Sequence, residues 1–345
     1  MLVQKAAGFD SDGSAKANGM GMIVVMGVTG SGKSYLINCI AGKEVVVEGP
    51  DMDSCTQECQ MVPVVIGGSK VMLIDTPGFD DSERSEAAIL NSIARVLTAQ
   101  YNLGFELKGI IYMQRITDIR HSGSSAKSLE IFKRIRGEEA LKNVLLVTNR
   151  WEDMDEALGA SRERQLREKF WAYMLGRGSC MNRFYGDRSS AISLVSDLLI
   201  KDPVMLRIQH EIINEHKDLN ETWVGSFVDG GLEKLREEHV KEIESLENLK
   251  KELKESDRVM RRRMEANWER EQARLRETEE QQVSLRRDVC QEVKSEIAEE
   301  NESESGGLKE LLPLIPAALG ILGVFVGVPP GSLELLGDFV EVFSH

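Results

Sequence analysis

The chain has 345 residues, a formal charge of -14 and a pI near 5.0. That length suits one sizeable α/β domain with an extension, or two domains, and that charge argues against any global attraction to nucleic acid or acidic lipid. Five cysteines (Cys39, Cys55, Cys59, Cys180 and Cys290), with no C-x-x-C pair and no clustered histidine, argue against a disulfide framework or zinc site and fit a reducing cytosol.

Residues 1–20 lack the apolar core of a secretory signal and read as a flexible arm. The apolar run "MIVVM" then leads into "GVTGSGKS", a G-x-x-x-x-G-K-S pattern with Gly27, Gly32, Lys33 and Ser34 in register. "YLINCIAG" follows as a helix capped by Gly42. Glycines let successive N–H groups face an anion without a Cβ in the way, and the helix adds its positive end. Gly27, Thr29, Gly30, Ser31, Gly32, Lys33, Ser34 and Tyr35 are therefore the candidate phosphate site. Lys33 would meet the terminal phosphates and the Ser34 hydroxyl would meet Mg²⁺.

Next comes "DMDSCTQEC", holding Thr56, the only threonine between Ser34 and Asp75 and so the candidate to reach Mg²⁺ when a γ-phosphate is present. "VIGGSKVMLI" predicts a hairpin, and hence one antiparallel edge strand on a mainly parallel sheet with helices on both faces. In "VMLIDTPGFDD" the apolar strand ends on Asp75, placed to hold Mg²⁺ through water, and Gly78 lets an N–H approach the terminal phosphate. With the glycine-rich loop, this D-x-x-G points to a GTPase of the translation-factor-like class. Many GTPases orient water with a glutamine directly after D-x-x-G, but here that place is Phe79, which can neither donate nor accept the bond. The site thus reads as built to hold a γ-phosphate and cut it slowly, with no catalytic residue assigned. A group from a partner or from a second copy would complete it, and in a pair of copies the Phe79 ring would pack at the interface. Arg115, Arg120 and His121, placed in a loop after the fourth strand, read as candidates for that role or as solvated charges.

Base recognition falls to "NVLLVTNRWED" after a buried strand. Guanine presents two donors that one carboxylate can accept together. Asn149, Arg150 and Glu152 stand where N-K-x-D is usual, with Arg150 able to pack over the base plane and Asp153 the alternative acceptor. In "DRSSAISLVSDLL" the small Ser190-Ala191 step opens a helix whose N–H would meet the guanine carbonyl.

The organisation that follows is an arm (1–20), a nucleotide-binding α/β domain (21–201), a connector (202–230), a charged helical or coiled-coil region (231–305) and an apolar tail (306–345). Leu232, Leu235, Leu246, Leu249 and Leu253 suit one seam, and Leu285, Val289, Val293 and Ile297 another. A continuous rod of about 100 Å and a hairpin folded back on the first domain are both allowed. "RVMRRRM" lies among glutamates and reads as a solvated face, so no nucleic-acid partner is expected. "LLPLIPAALGILGVFVGVPPG" is uncharged, but Pro313 and Pro316 leave only a short clean helix. Membrane contact and burial against the protein's own helices or a partner both stay open. The expected location is cytoplasmic, with or without association with an intracellular membrane.

"GVTGSGKSYLIN", "SCTQEC" and "LIDTPGFDD" resemble the septin-like, GIMAP and chloroplast-import-receptor branch of P-loop GTPases. "IIYMQRITDIRHSGSSAKSLEIFKRI" with "VTNRWED" is closer still to fungal G-domain proteins of that branch. The resemblance covers about Gly21 to Lys201. It implies a G domain, GTP/GDP and Mg²⁺ as cofactors, nucleotide exchange, and nucleotide-dependent assembly into a homodimer or oligomer through the G-domain face. Glu152 and Gln114 depart from the pattern. Two functions compete: a nucleotide switch with slow GTP hydrolysis, and a septin-like scaffold that keeps its nucleotide as an assembly cofactor. An ATP-dependent P-loop enzyme is a third reading.

Overall fold

The computed structural model describes residues 20–47, 58–81, 84–118, 123–252, 258–302, 317–332 and 334–335. Its centre is a sheet of β1 (Gly21–Gly27), β2 (Gln60–Ile66), β3 (Ser69–Asp75), β4 (Glu106–Arg115), β5 (Val144–Asn149) and β6 (Cys180–Arg183), in the order β2-β3-β1-β4-β5-β6. All neighbours are parallel except β2 with β3. Those two are joined at Gly67 and Gly68, with φ of 56° and 81°, a left-handed pair that glycine adopts without penalty. The expected antiparallel edge strand is present.

Because side chains alternate along a strand, near-continuous apolar runs fill both faces of the sheet. On one face Ile23, Val25, Leu73, Ile111 and Val147 pack under α1 (Lys33–Ala41) and α6 (Arg188–Leu199). On the other, Met22, Val24, Ile74, Tyr112 and Leu146 pack under α2 (Glu86–Asn102) and α3 (Gly123–Arg136). Gly42 ends α1 as expected, at φ 76° with its N–H bonded to Asn38 O at 2.9 Å. Beyond β5 come α4 (Glu156–Gln165), a π turn and α5 (Ala172–Gly176). Past α6 a short α7 (Arg207–Gln209) and a second π turn follow.

The extension begins earlier than its composition suggests. α8 spans Trp223–Glu252, so its first turns lie inside the expected connector. Trp223 is held between the Arg134 and Arg207 guanidinium groups, 4.7 and 4.2 Å from the ring centre, docking the helix on α3 and α7. α9 (Arg258–Leu285) runs back antiparallel to α8: Glu233 meets Gln282 at 3.0 Å, His239 meets Glu271 at 2.8 Å and Lys250 meets Glu265 at 3.1 Å. This is a hairpin, not a rod. The predicted seam is corrected accordingly: Leu232 and Leu246 are buried, but Leu235 and Leu249 are exposed, and Ile243 and Met264 fill the interface. One end of α8 serves the α/β domain and the rest serves α9, so a single straight stripe cannot satisfy both. Leu253 lies outside the described residues. Leu285, Val289 and Val293 are buried where α10 (Val289–Glu302) packs on α2.

In the tail, α11 (Ala317–Phe325) buries Ala318, Leu319, Ile321 and Leu322 in the same core as α2 and α10. The chain then crosses the sheet edge. Gly327 N–H donates to Cys59 O and Gly327 O accepts from Met61 N–H, both at 2.9 Å, forming a parallel bridge to Gln60. Farther on, Gly331 lies against Glu44 and Val45, and Lys43 pairs with Glu334 at 2.6 Å. Among the described residues no helix is long and apolar enough to cross a membrane; residues 306–316, which open the apolar tail, lie outside them.

Candidate nucleotide site

The site forms at the carboxyl ends of β1 and β3, where a parallel sheet leaves a crevice. β1 ends at Gly27 and the chain turns through Gly30 and Gly32, with φ of 69° and 83°, into α1. Gly32 is required twice over, since its φ is left-handed and a Cβ would sit 2.5 Å from the Asn149 amide nitrogen. Lys33 is buried beneath this loop and its ammonium donates to Val28 O at 2.9 Å and Gly27 O at 3.3 Å. Burial pushes its pKa below the ordinary lysine value, opposed chiefly by the Asp75 carboxylate. The Ser34 hydroxyl donates to Asp75 Oδ2 at 2.6 Å, so the two predicted magnesium ligands meet across 41 residues. The third, Thr56, lies outside the described residues.

After Asp75, the Thr76 hydroxyl ties the chain to Val25 O at 2.8 Å, and Gly78 comes down on the loop so closely that a Cβ would overlap the amide and hydroxyl of Thr29. Thr29 N–H donates to Asp80 Oδ1 at 2.5 Å. The sequence motifs do not single out Asp80, although the "FDD" after D-x-x-G places two carboxylates within reach. Phe79 corrects an expectation: it is 5% exposed and joins the core with Ile89 and Leu90, because the chain turns inward after Gly78. A ring in that position cannot pack at an interface.

Asn149, 4% exposed at the end of β5, braces the loop by donating from Nδ2 to Ser31 O at 2.8 Å. Its Oδ1 and the hydroxyls of Thr29 and Ser31 are buried without a hydrogen-bond partner among the described residues. Orphaned buried polar atoms grouped around a left-handed loop fit a ligand rich in acceptors and donors. Arg150 follows at φ 58°, a strained value for a non-glycine residue, and pairs with Asp153 at 3.2 Å. Trp151 is fixed by its indole N–H to Thr148 O and Oγ1, both at 3.2 Å, and its ring lies 3.8 Å under the Arg183 guanidinium, itself paired with Glu163. Glu152 is exposed and has no ion pair among the described residues. The Trp151–Arg183 stack was not legible from sequence, since Arg183 belongs to no motif.

Ser190, Ala191 and Tyr35 stand apart from the loop's polar cluster. Ser190 N–H donates to Asp187 Oδ1 at 2.9 Å and Ala191 N–H to Asp187 O at 3.1 Å, so Asp187, as N-cap of α6, takes the donors expected for a guanine carbonyl. The Tyr35 hydroxyl donates to Gly186 O at 2.8 Å, tying α1 to the β6–α6 turn. Arg115 is the last residue of β4 and not part of the loop after it. Its Nε donates to Asp118 Oδ1 at 2.9 Å, and Gln114 Nε2 donates to the other carboxylate oxygen at 2.6 Å. Arg120 and His121 lie outside the described residues.

Residues 21–163 match the model of the AIG1 family. The chain is 27% identical over 125 residues to GTP-binding protein A of Dictyostelium discoideum, covering 36% of this chain and 27% of that protein. It is 40% identical over 77 residues to immune-associated nucleotide-binding protein 7 of Arabidopsis thaliana, covering 22% of this chain and 25% of that protein. The chain therefore spans about a quarter of the length of these curated relatives. Among solved structures it is similar to Toc33 from Arabidopsis thaliana in complex with Mg²⁺ and GMPPNP, with a TM-score of 0.44 and 17% identity over 54% of this chain and 87% of that one.

Proposed function

We propose that the chain is a guanine-nucleotide-binding protein that hydrolyses GTP slowly and acts as a nucleotide switch. The carrying observation is the Ser34–Asp75 bond at 2.6 Å beside the buried Lys33 ammonium, which brings the hydroxyl, carboxylate and cation of two separate motifs into one cluster. GTP-binding protein A and the Arabidopsis nucleotide-binding protein are similar over part of this region and carry nucleotide binding in their names.

Each residue then has a role. Lys33 exchanges its bonds to Gly27 O and Val28 O for the terminal phosphates, a charge-assisted and stronger pairing. The hydroxyl of Ser34 and the carboxylate of Asp75 are the hard oxygen ligands that Mg²⁺ takes. When bound, that ion would neutralise charge on the phosphate oxygens. Asn149 holds the loop in shape, and Arg150 engages Asp153, which leaves Glu152 to accept from the guanine edge. Trp151, pinned by Thr148 and Arg183, fixes this turn.

In hydrolysis the water oxygen bonds to the γ-phosphorus as the bond to the β–γ bridging oxygen breaks. GDP leaves with the electron pair, and the water proton passes to phosphate. With Phe79 turned into the core, no side chain directly after D-x-x-G orients that water. The isolated protein should therefore turn over at about 10⁻⁴ to 10⁻³ per second. Pairing of two copies through the nucleotide face would raise that rate. Identifying the nucleotide that copurifies, and measuring specific activity over a hundredfold range of protein concentration, tests both halves. ATP as the bound nucleotide refutes guanine recognition, and a fast rate independent of concentration refutes the paired, slow site.

A further inference from the structure

We propose that the stretch Gly327–Ser332, with Glu334 paired to Lys43 beyond it, is a strap that senses the phosphate site, seated across the sheet edge in the GDP state and loosened when a terminal phosphate is engaged. This rests on the nucleotide reading above. The strap has two footholds. At the first, Gly327 exchanges both its hydrogen bonds with Cys59 and Met61, the neighbours of Gln60, and Gln60 is the residue paired with Asp75 across β2 and β3. At the second, Gly331 is packed so closely that a Cβ would sit 3.0 Å from Glu44 O and Val45 Cα. Asn38 Oδ1 accepts from Val45 N–H and Val46 N–H at 2.8 and 3.0 Å. Asn38 lies on α1, the helix that opens with Lys33 and Ser34.

The two footholds are thus the outer ends of two short lines of contact whose inner ends, Asp75 and Ser34, bond to each other at 2.6 Å. Mg²⁺ would draw on those same two oxygens with either nucleotide, and only a terminal phosphate would add further negative charge beside the Asp75 carboxylate. Whatever it does to the Ser34–Asp75 bond is passed outward along β3 to β2 and along α1 to the Val45 turn. These are the two places the strap bridges. Its polar hold is light, with two backbone hydrogen bonds to β2 and one ion pair in which the Glu334 side chain is 83% exposed, and its apolar hold is the packing of Val328 on one core and Leu335 on the other. α11, buried against α2 and α10, stays in place as the anchor.

Hydrogen exchange on the full chain tests this, with GDP or GMPPNP loaded in the presence of Mg²⁺ and occupancy checked by nucleotide fluorescence. The Met61 and Gly327 amides should exchange at least about tenfold faster with GMPPNP, the mark of local opening. Equal or slower exchange overturns the strap while leaving the nucleotide reading standing. Failure of both nucleotides to bind overturns that reading and the strap with it. Coupling is reciprocal, so prying the strap loose must favour GMPPNP over GDP by about fivefold or more. Gly331→Val, which wedges the second foothold, and Gly327→Pro, which deletes the first foothold's donor, should each do so. An unchanged or lowered affinity ratio in both folded variants overturns the proposal.

Discussion

The two faces of the sheet are closed in different ways. One is covered by α1 and α6, each joined directly to a strand of the same sheet, with a core that runs from Ile23 to Leu198. The other starts with α2 and α3 in the same manner, yet it is finished by Val224 and Val228 of α8, Val293 of α10 and Leu322 of α11, up to 300 residues from Met22. The first face is built by adjacent sequence and carries the phosphate loop. The second is built by closure over long loops and carries most of what the chain adds to a nucleotide-binding domain, with only the tail's end at Gly331 and Leu335 reaching the first. Stability of the second face therefore depends on segments that contribute nothing to the chemistry of the first.

Substitutions can break that comparison. Leu322→Ala in the tail should destabilise as much as Ile37→Ala under the phosphate loop, about 2–5 kcal/mol each, because both side chains are fully buried. Urea midpoints measure this, and a tail variant below about 1 kcal/mol would mean that the second face closes without α11. Lys33→Ala should reverse the pattern. Affinity for GTP and GDP falls at least about 100-fold with the loss of a charge-assisted bond, while the urea midpoint holds or rises because a buried cation is gone. Retained GTP affinity in the folded variant would remove the loop from the site.

Smaller changes sharpen the comparison. Glu152→Ala should weaken GTP and GDP about tenfold and leave ATP unaffected, whereas Asp153→Ala, already engaged by Arg150, should do little to any of them. Fluorescence titration of all three nucleotides reads this, and the opposite result moves the base contact by one residue. The smallest effect follows from the lowered pKa of Lys33. Below 10.5 and above its folded value, the unfolded chain holds a proton there that the folded chain lacks, so unliganded stability rises with pH in that window. Nucleotide affinity falls over the same window, since the phosphates need the charged amine. Parallel pH series of unfolding and binding should diverge, and curves that move together would place the titration elsewhere.

The sheet, its antiparallel edge and the phosphate loop were legible because each is written within a few residues: an apolar run, a Gly-Gly turn, a fixed G-x-x-x-x-G-K-S spacing. Ser34 and Asp75 were singled out separately, but their contact at 2.6 Å required β1 and β3 to be neighbours, which the motifs imply and do not state. Phe79 was read by type and misplaced by direction, since nothing local tells a ring after Gly78 to turn inward. Ser190 and Ala191 open a helix and so suggest a base contact, but the Asp187 carboxylate that caps the same helix takes the Ser190 donor. The heptad reading of α8 failed at Leu235 and Leu249 because the helix serves two partners in succession. The tail's apolar character was plain, but composition alone cannot say whether such a segment meets lipid or protein.

β2 is the outermost strand on its side of the sheet, and an outermost strand offers its unused backbone groups to any passing chain. Met61 N–H points away from β3, as its bond to Gly327 shows, so by the alternation of an antiparallel pair the next outward amide belongs to residue 63. Residue 63 is proline and has no N–H to give. One outward donor is thus occupied by the chain's own tail and the next does not exist, leaving Val65 as the single outward amide of a seven-residue strand. A foreign strand laid along this border finds no continuous ladder to climb. Copies of this protein are thereby steered away from edge-to-edge pairing along β2, a step toward fibrous aggregates.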